Sequence, residues 1–176
     1  MSQTLYEHLE SRHLDIALHR PVVDLEDDVV TFYLWNLSGA MVGFQRYRRF
    51  GSKKINNNPY DGKYFTYSKQ PTLAVWGVES LHLTPNLVFV TEGVFDAARL
   101  TQLGYSAVAA LSNHPTSDFR NWLNCLNRRV VVVADNDHAG KKLASFGHEA
   151  YFMTEKDLGD SSDEEVFKLL DKVLDQ

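Results

Sequence analysis

Residues 129–140 read Arg129-Val130-Val131-Val132-Val133-Ala134-Asp135-Asn136-Asp137-His138-Ala139-Gly140. Four consecutive valines suit a strand covered on both faces, as in a parallel sheet packed between helices. The strand runs into two aspartates at i and i+2, which point to the same side of extended backbone. Asp135 and Asp137 therefore project together from the strand's carboxyl end, where open α/β sheets bind ligands. Two crowded carboxylates repel unless a cation lies between them, and hard oxygen ligands favour Mg²⁺ or Mn²⁺. The alternative is that Asp135 caps the next helix and Asp137 is solvated.

A second strand upstream ends in the same way. Leu87-Val88-Phe89-Val90-Thr91-Glu92-Gly93 is apolar and closes on an acid, and Val94 to Leu100 then reads as a helix. Two strands thus each end in acid at a strand-to-helix turn. Glu92-Gly93-x-x-Asp96-Ala97 followed by Asp135-x-Asp137-x-Ala139-Gly140 resembles the toprim family, the catalytic fold of primases and topoisomerases. Topoisomerases usually carry Glu-Gly after the Asp-x-Asp; Ala139-Gly140 is similar to the primase branch.

The resemblance extends beyond these motifs. Lys156-Asp157-Leu158-Gly159-Asp160 is similar to a phage primase run that brings a third acidic cluster to the metal site. It implies Asp157 and Asp160 as further metal ligands; a solvated acidic turn is the other reading. Val42-Gly43-Phe44-Gln45-Arg46 resembles the Ile-Gly-Phe-x-x-Arg hairpin that precedes the toprim unit in bacterial primases, with Arg46 one place short of the family's arginine, Tyr47 at its place, and Arg48 and Arg49 beyond it. Lys63-Tyr64-Phe65-Thr66-Tyr67-Ser68 resembles a primase Lys-Tyr-x-Asn-Ser segment. Tyr6 to Arg12 is faintly similar to a phage primase lead-in. The resemblance covers about Leu87 to Gln176 well and Val29 to Glu79 loosely.

The net charge of −5 argues against a nucleic-acid binder until its distribution is read. Residues 41–69 hold seven basic residues, Arg46, Arg48, Arg49, Lys53, Lys54, Lys63 and Lys69, against the single acid Asp61. That segment carries +6 and leaves −11 to the rest. A basic patch facing an acidic metal site suits a polyanionic substrate. Aromatics interleave with the basic residues, among them Phe44, Tyr47, Phe50, Tyr60, Tyr64, Phe65 and Tyr67. Aromatic faces stack single-stranded bases while cations track phosphates; at least half of these rings are expected to pack a hairpin core instead.

The remaining elements follow from pattern. Thr4 to His13 reads as a short helix. Val29 to Trp35 and Ala40 to Arg48 form a hairpin around the Asn36-to-Gly39 turn, with Val42, Phe44, Arg46 and Arg48 on one face and Gln45, Tyr47 and Arg49 on the other. Gly51 to Gly62 is loop. After the helix Phe95 to Leu103, Gly104 is a natural stop. Ser106 to Leu111 is a strand, residues 112–116 a polar loop, and Ser117 to about Leu126 a helix. Cys125 is expected to pack in that helix. Lys141 to Gly147 is helical, Glu149 to Met153 a strand, and Ser162-x-x-Glu165 a capping box that opens an amphipathic helix.

Alternating strand and helix give an α/β fold with a parallel sheet. The resemblance makes it a toprim fold: a four-stranded, mainly parallel sheet flanked by helices, with the acids at one edge. A small β-hairpin-rich subdomain, residues 1–84, precedes the toprim domain, residues 85–176. The implied activity is primase-type nucleotidyl transfer on single-stranded DNA. By that resemblance Asp135, Asp137, Asp157 and Asp160 would hold Mg²⁺ or Mn²⁺, Glu92 would be a ligand or general acid/base, and Asp96 would position a metal water. Template and nucleoside triphosphates meet the basic residues. A toprim nuclease and a non-catalytic binding module of phage or mobile-element origin are the alternatives.

A helicase or a separate initiation module is a further partner to test. No apolar run is long enough to cross a membrane and no signal-peptide pattern opens the chain, so a bacterial or phage-infected cytoplasm is expected. With Cys125 as the single cysteine, multi-cysteine zinc sites are excluded. Elemental analysis of the isolated chain is therefore expected to find no stoichiometric zinc.

Overall fold

The four-valine run forms the interior of a parallel strand, as its composition predicts. The computed structural model describes residues 3–36, 38–53, 58–70, 73–111, 116–153 and 156–175. Among these, eight strands form two sheets of four. The first sheet is antiparallel and runs in chain order: β1 (Val22–Asp24), β2 (Val29–Trp35), β3 (Met41–Arg48) and β4 (Tyr64–Ser68). The second consists of β5 (Leu87–Thr91), β6 (Ala107–Ala109), β7 (Arg129–Asp135) and β8 (Glu149–Met153). It is fully parallel, in the spatial order β6-β5-β7-β8. Six α-helices accompany them: α1 (Leu5–Ser11), α2 (Ile16–His19), α3 (Val94–Gln102), α4 (Ser117–Cys125), α5 (His138–Ala144) and α6 (Asp163–Leu174). This is the toprim fold with an antiparallel sheet placed before it.

The two central parallel strands are the most buried. Every residue of β5 is buried, as are Val130 to Ala134 of β7. The hairpin behaves as alternation requires: Phe32 and Leu34 are fully buried, and Gln45 and Tyr47 of β3 turn inward with them. One apolar core runs across both sheets, joining Val30, Phe32 and Leu34 to Phe89, Phe95 and Val131. The helix ends are closed by side chains. Thr4 with Glu7 and Ser162 with Glu165 form capping boxes, and Gly104, at φ +87°, takes the left-handed turn after α3.

Residues 75–76 splice the two sheets. Val75 exchanges both backbone hydrogen bonds with Trp35, at 2.9 and 3.0 Å, and Trp76 does so with Ala109, at 3.2 and 3.0 Å. Two side-chain pairs add to this joint. Arg12, the residue that caps the end of α1, pairs with Asp160 and stacks 4.8 Å from the centre of Phe95, and the buried Arg99 of α3 pairs with Asp163 and with His13 at 3.0 Å.

Three expectations change. α5 begins at His138 rather than Lys141, because Asp137 caps it by accepting from the Gly140 N–H at 2.8 Å. Cys125 is exposed at the end of α4, not packed, since the buried stripe of that helix is Phe119, Trp122 and Leu123. The elements β1, β4 and α2 were not legible: β1 and α2 span three and four residues, and β4 has no clean alternation in burial.

Gly140 sits where α5 leaves the acid-bearing strand, and a Cβ there would run into the Asp135 carbonyl oxygen. Gly140→Ala is expected to lower stability by about 1–3 kcal/mol through that backbone clash. Urea denaturation checks it; an unchanged midpoint would contradict this packing.

Candidate active site

β5 and β7 lie side by side in parallel, with Phe89 opposite Val131. Their carboxyl ends therefore open at the same level, and Glu92 and Asp135 emerge there together. The acids thus cluster at the ends of the two central strands. Gly93 makes the turn into α3, and a Cβ there would sit 2.8 Å from the Asp96 carboxylate. Its absence lets Asp96 fold back against the turn. Asp96 Oδ1 then accepts from the Gly159 N–H at 2.9 Å, tying α3 to the 3-10 turn Leu158–Asp160. That bond brings Asp157, immediately before the turn, to the same opening.

The opening is a cleft of about 400 Å³. Glu92, Asp96, Asp135 and Asp157 line its toprim wall. Arg12, Gln45, Tyr64 and Thr66 line the wall opposite. The Gln45 side-chain amide donates to Thr66 Oγ1 at 2.8 Å, holding that second wall in place.

The acids feel one another. Burial, then the charges of Asp135, Asp137, Asp96 and Asp157, push the Glu92 pKa up to about 7. Burial raises Asp96 to about 6 against the opposing Gly159 hydrogen bond, with Asp157 and Asp135 adding to the rise. Asp135 is also raised, by burial and then by Asp157 and Asp137. Glu92 Oε1 is buried without a hydrogen-bond partner among the described residues. A buried acceptor in a crowd of carboxylates is the environment a hard divalent cation relieves, and every donor offered is an oxygen of the kind Mg²⁺ and Mn²⁺ take. Among the described residues, however, no three acidic, histidine or cysteine side chains already converge in metal-holding geometry.

Two of the expected ligands are otherwise engaged. Asp137 is exposed and serves as the α5 cap, so the cap falls on Asp137 rather than on Asp135. Asp160 pairs with Arg12 and does not line the cleft.

The basic residues divide into three groups. Arg49 is held by Asp28 at 2.8 Å and by the Gln3 carbonyl at 2.6 Å, and Arg48 donates to the Tyr60 and Asp27 carbonyls at 3.3 Å. Lys53 and Lys63 line a second pocket of about 500 Å³ that shares Tyr64 and Thr66 with the cleft. Burial, then Lys53 and Arg12, lower the Lys63 pKa. Arg46 and Lys69 have no side-chain hydrogen bond or ion pair among the described residues. Lys54 and residues 112–115 lie outside the described residues.

Sequence reasoning missed the wall made by Arg12, Gln45, Tyr64 and Thr66. Its signals were the faint lead-in motif ending in Arg12 and the alternation that puts Gln45 on the other face of the strand from Arg46.

Comparison with known proteins agrees with this architecture. The Toprim-like family matches residues 89–157. Sequence comparison finds no relative among curated proteins. Among solved structures, the DnaG catalytic core is similar with a TM-score of 0.69 at 19% identity, over 95% of this chain and 72% of that one. The DnaG primase catalytic domain bound to ssDNA gives 0.60 at 19% identity, over 89% and 59%. The primase fragment of the bacteriophage T7 primase-helicase protein gives 0.58 at 15% identity, over 81% and 62%. This chain therefore spans under two thirds of the latter two. Residues 89–157 thus match the Toprim-like family, and the chain as a whole shares the fold of the DnaG catalytic core.

Proposed function

We propose that this chain is a primase-like, metal-dependent nucleotidyltransferase that builds primers on single-stranded DNA. One observation carries the reading: an acid-walled cleft and a lysine-lined pocket share the wall made by Tyr64 and Thr66. A nucleotide spanning that wall would set its phosphates between the acids and the lysines. The solved relative bound to ssDNA supports the same substrate class.

Asp135 and Asp157 would hold the divalent cation in the cleft, with Glu92 beside it. When bound, Mg²⁺ or Mn²⁺ supplies positive charge against the reacting phosphate oxygens. Glu92, titrating near neutrality, is suited to hold or pass the proton of an attacking hydroxyl at Oε1. Asp96 is a positioning residue, since its bond to Gly159 holds the turn that carries Asp157. Lys53 and Lys63 meet the phosphates. A helicase or a separate initiation module would complete the system, and extension of a supplied dinucleotide is expected to exceed initiation de novo.

The test is incubation with single-stranded DNA, nucleoside triphosphates and Mn²⁺. New oligonucleotides support the proposal. Shortened DNA would mean a nuclease. No change would favour a non-catalytic module.

The arginines yield a graded prediction. Arg46→Ala is expected to lower the log–log salt slope of ssDNA binding by about 0.7, the share of one single-strand phosphate contact. Arg49→Ala is expected to act on stability, because Arg49 is spent on Asp28 and Gln3. Binding measured across a salt series separates the two, and an unchanged slope in Arg46→Ala would leave that arginine merely solvated.

A further inference from the structure

The inward face of the antiparallel sheet supplies the cleft wall and core. Its outward face carries an aromatic ladder. Register sets Tyr33 opposite Phe44 and Phe44 opposite Tyr67, one ring from each of three adjacent strands. The rings touch in series: Tyr67 to Phe44 at 5.7 Å, Phe44 to Phe65 at 6.2 Å, and Phe65 to Tyr60 at 4.4 Å. Trp35 extends the row, 6.4 Å from Tyr33.

Among the described residues, protein covers these rings only in part. Tyr67 is 47% and Tyr60 53% exposed, and Tyr33, Trp35, Phe44 and Phe65 are half-buried. A contiguous exposed aromatic patch on a sheet marks a binding surface. Its charge selects the occupant. Arg46 stands in the adjacent row, opposite Phe65, with no side-chain partner among the described residues, and Lys69 follows the end of β4. A second copy would set these cations against themselves, whereas a polyanion with flat bases satisfies both features.

We propose that this outer face is a stacking platform for single-stranded nucleic acid, on the side of the sheet away from the acid cleft. Bases lie on Phe44, Tyr67 and Trp35, and Arg46 meets the phosphates, the arrangement by which four-stranded sheets with exposed rings hold two or three bases. The claim that the bound strand is a template rests on the proposed function. The binding itself does not.

Trp76 and Trp122 are only 1% and 3% exposed, so quenching of tryptophan fluorescence by oligo(dT)12 reports Trp35. Saturable quenching is expected. Phe44→Leu and Tyr67→Leu keep apolar bulk but remove a ring, and each is expected to weaken binding about tenfold. Trp35→Phe keeps a ring, so it should still bind oligo(dT) by anisotropy while losing the quench. Absence of oligo(dT) binding would overturn the platform. So would binding that leaves Trp35 unquenched and is indifferent to both leucine variants, which would put the strand elsewhere. Dimers by light scattering that Tyr67→Leu dissolves, without an effect on oligo(dT), would assign the face to self-association and overturn it too. Priming by a chain that fails these tests would leave the proposed function standing, and platform binding by a chain that does not prime would leave the platform standing.

Discussion

Glu92→Gln is expected to cut nucleotidyl transfer by roughly 10²- to 10⁴-fold, the range of a lost general acid/base, and at the same time to raise the melting temperature in metal-free buffer. The second half follows from linkage. The folded-state pKa of about 7 lies above the ordinary value of 4.5. Between those values the folded chain binds more protons than the unfolded chain, so this group's contribution to stability falls as pH rises from about 4.5 to about 7. At pH 8 the folded state carries the full cost of an ionised Glu92 among like charges. Glutamine has no such cost, so the gain in melting temperature should be large at pH 8 and small at pH 4. Calorimetry at the two pH values checks the sign, and initial rates with Mn²⁺ check the activity. A variant less stable than wild type at pH 8 would mean that Glu92 is not held in a strained acidic cluster. For the same reason, wild-type affinity for Mg²⁺ should rise with pH through 7, as the competing proton leaves.

Asp135→Asn is expected to reduce metal-dependent activity by roughly 10²-fold or more, and Asp137→Asn, at the exposed cap of α5, to reduce it less, with different structural consequences. Asp135 lines the cleft, where burial and Asp157 raise its pKa, so its neutral replacement should leave the metal-free fold as stable or more so. Asp137 caps α5 through the Gly140 N–H. Asparagine caps equally well, so Asp137→Asn should be neutral in stability, while Asp137→Ala should cost about 1 kcal/mol. Near-wild-type turnover in both asparagine variants would remove the Asp-x-Asp pair from the chemistry.

The parallel sheet was legible because Val130 to Val133 and Leu87 to Val90 have only one comfortable environment, covered on both faces. The acids could be read because each terminates such a run. What sequence could not reveal was how their carboxylates would be engaged. Asp137 and Asp160 fit the motif as well as Asp135 and Asp157 do, yet one is drawn to a helix end and the other to Arg12. Those partners are set by local backbone geometry and by a helix 148 residues away in the chain. The opposite wall was hidden for a related reason: Gln45 and Thr66 become neighbours only when β3 and β4 pair, and β4 carries no alternation that announces it.

The splice at residues 75–76 bears on how this molecule responds to its own charge. Backbone groups alone make its four hydrogen bonds, one pair on each sheet. Amides do not titrate, and their partners cannot exchange rotamers. Protonating the cleft acids, or neutralising them with a cation, therefore changes the field inside the gap without releasing the joint that sets its span. The two walls are held by a stiff frame, and adaptation to different occupants falls to side chains such as Tyr64 and Arg12 and to the turn that carries Asp157.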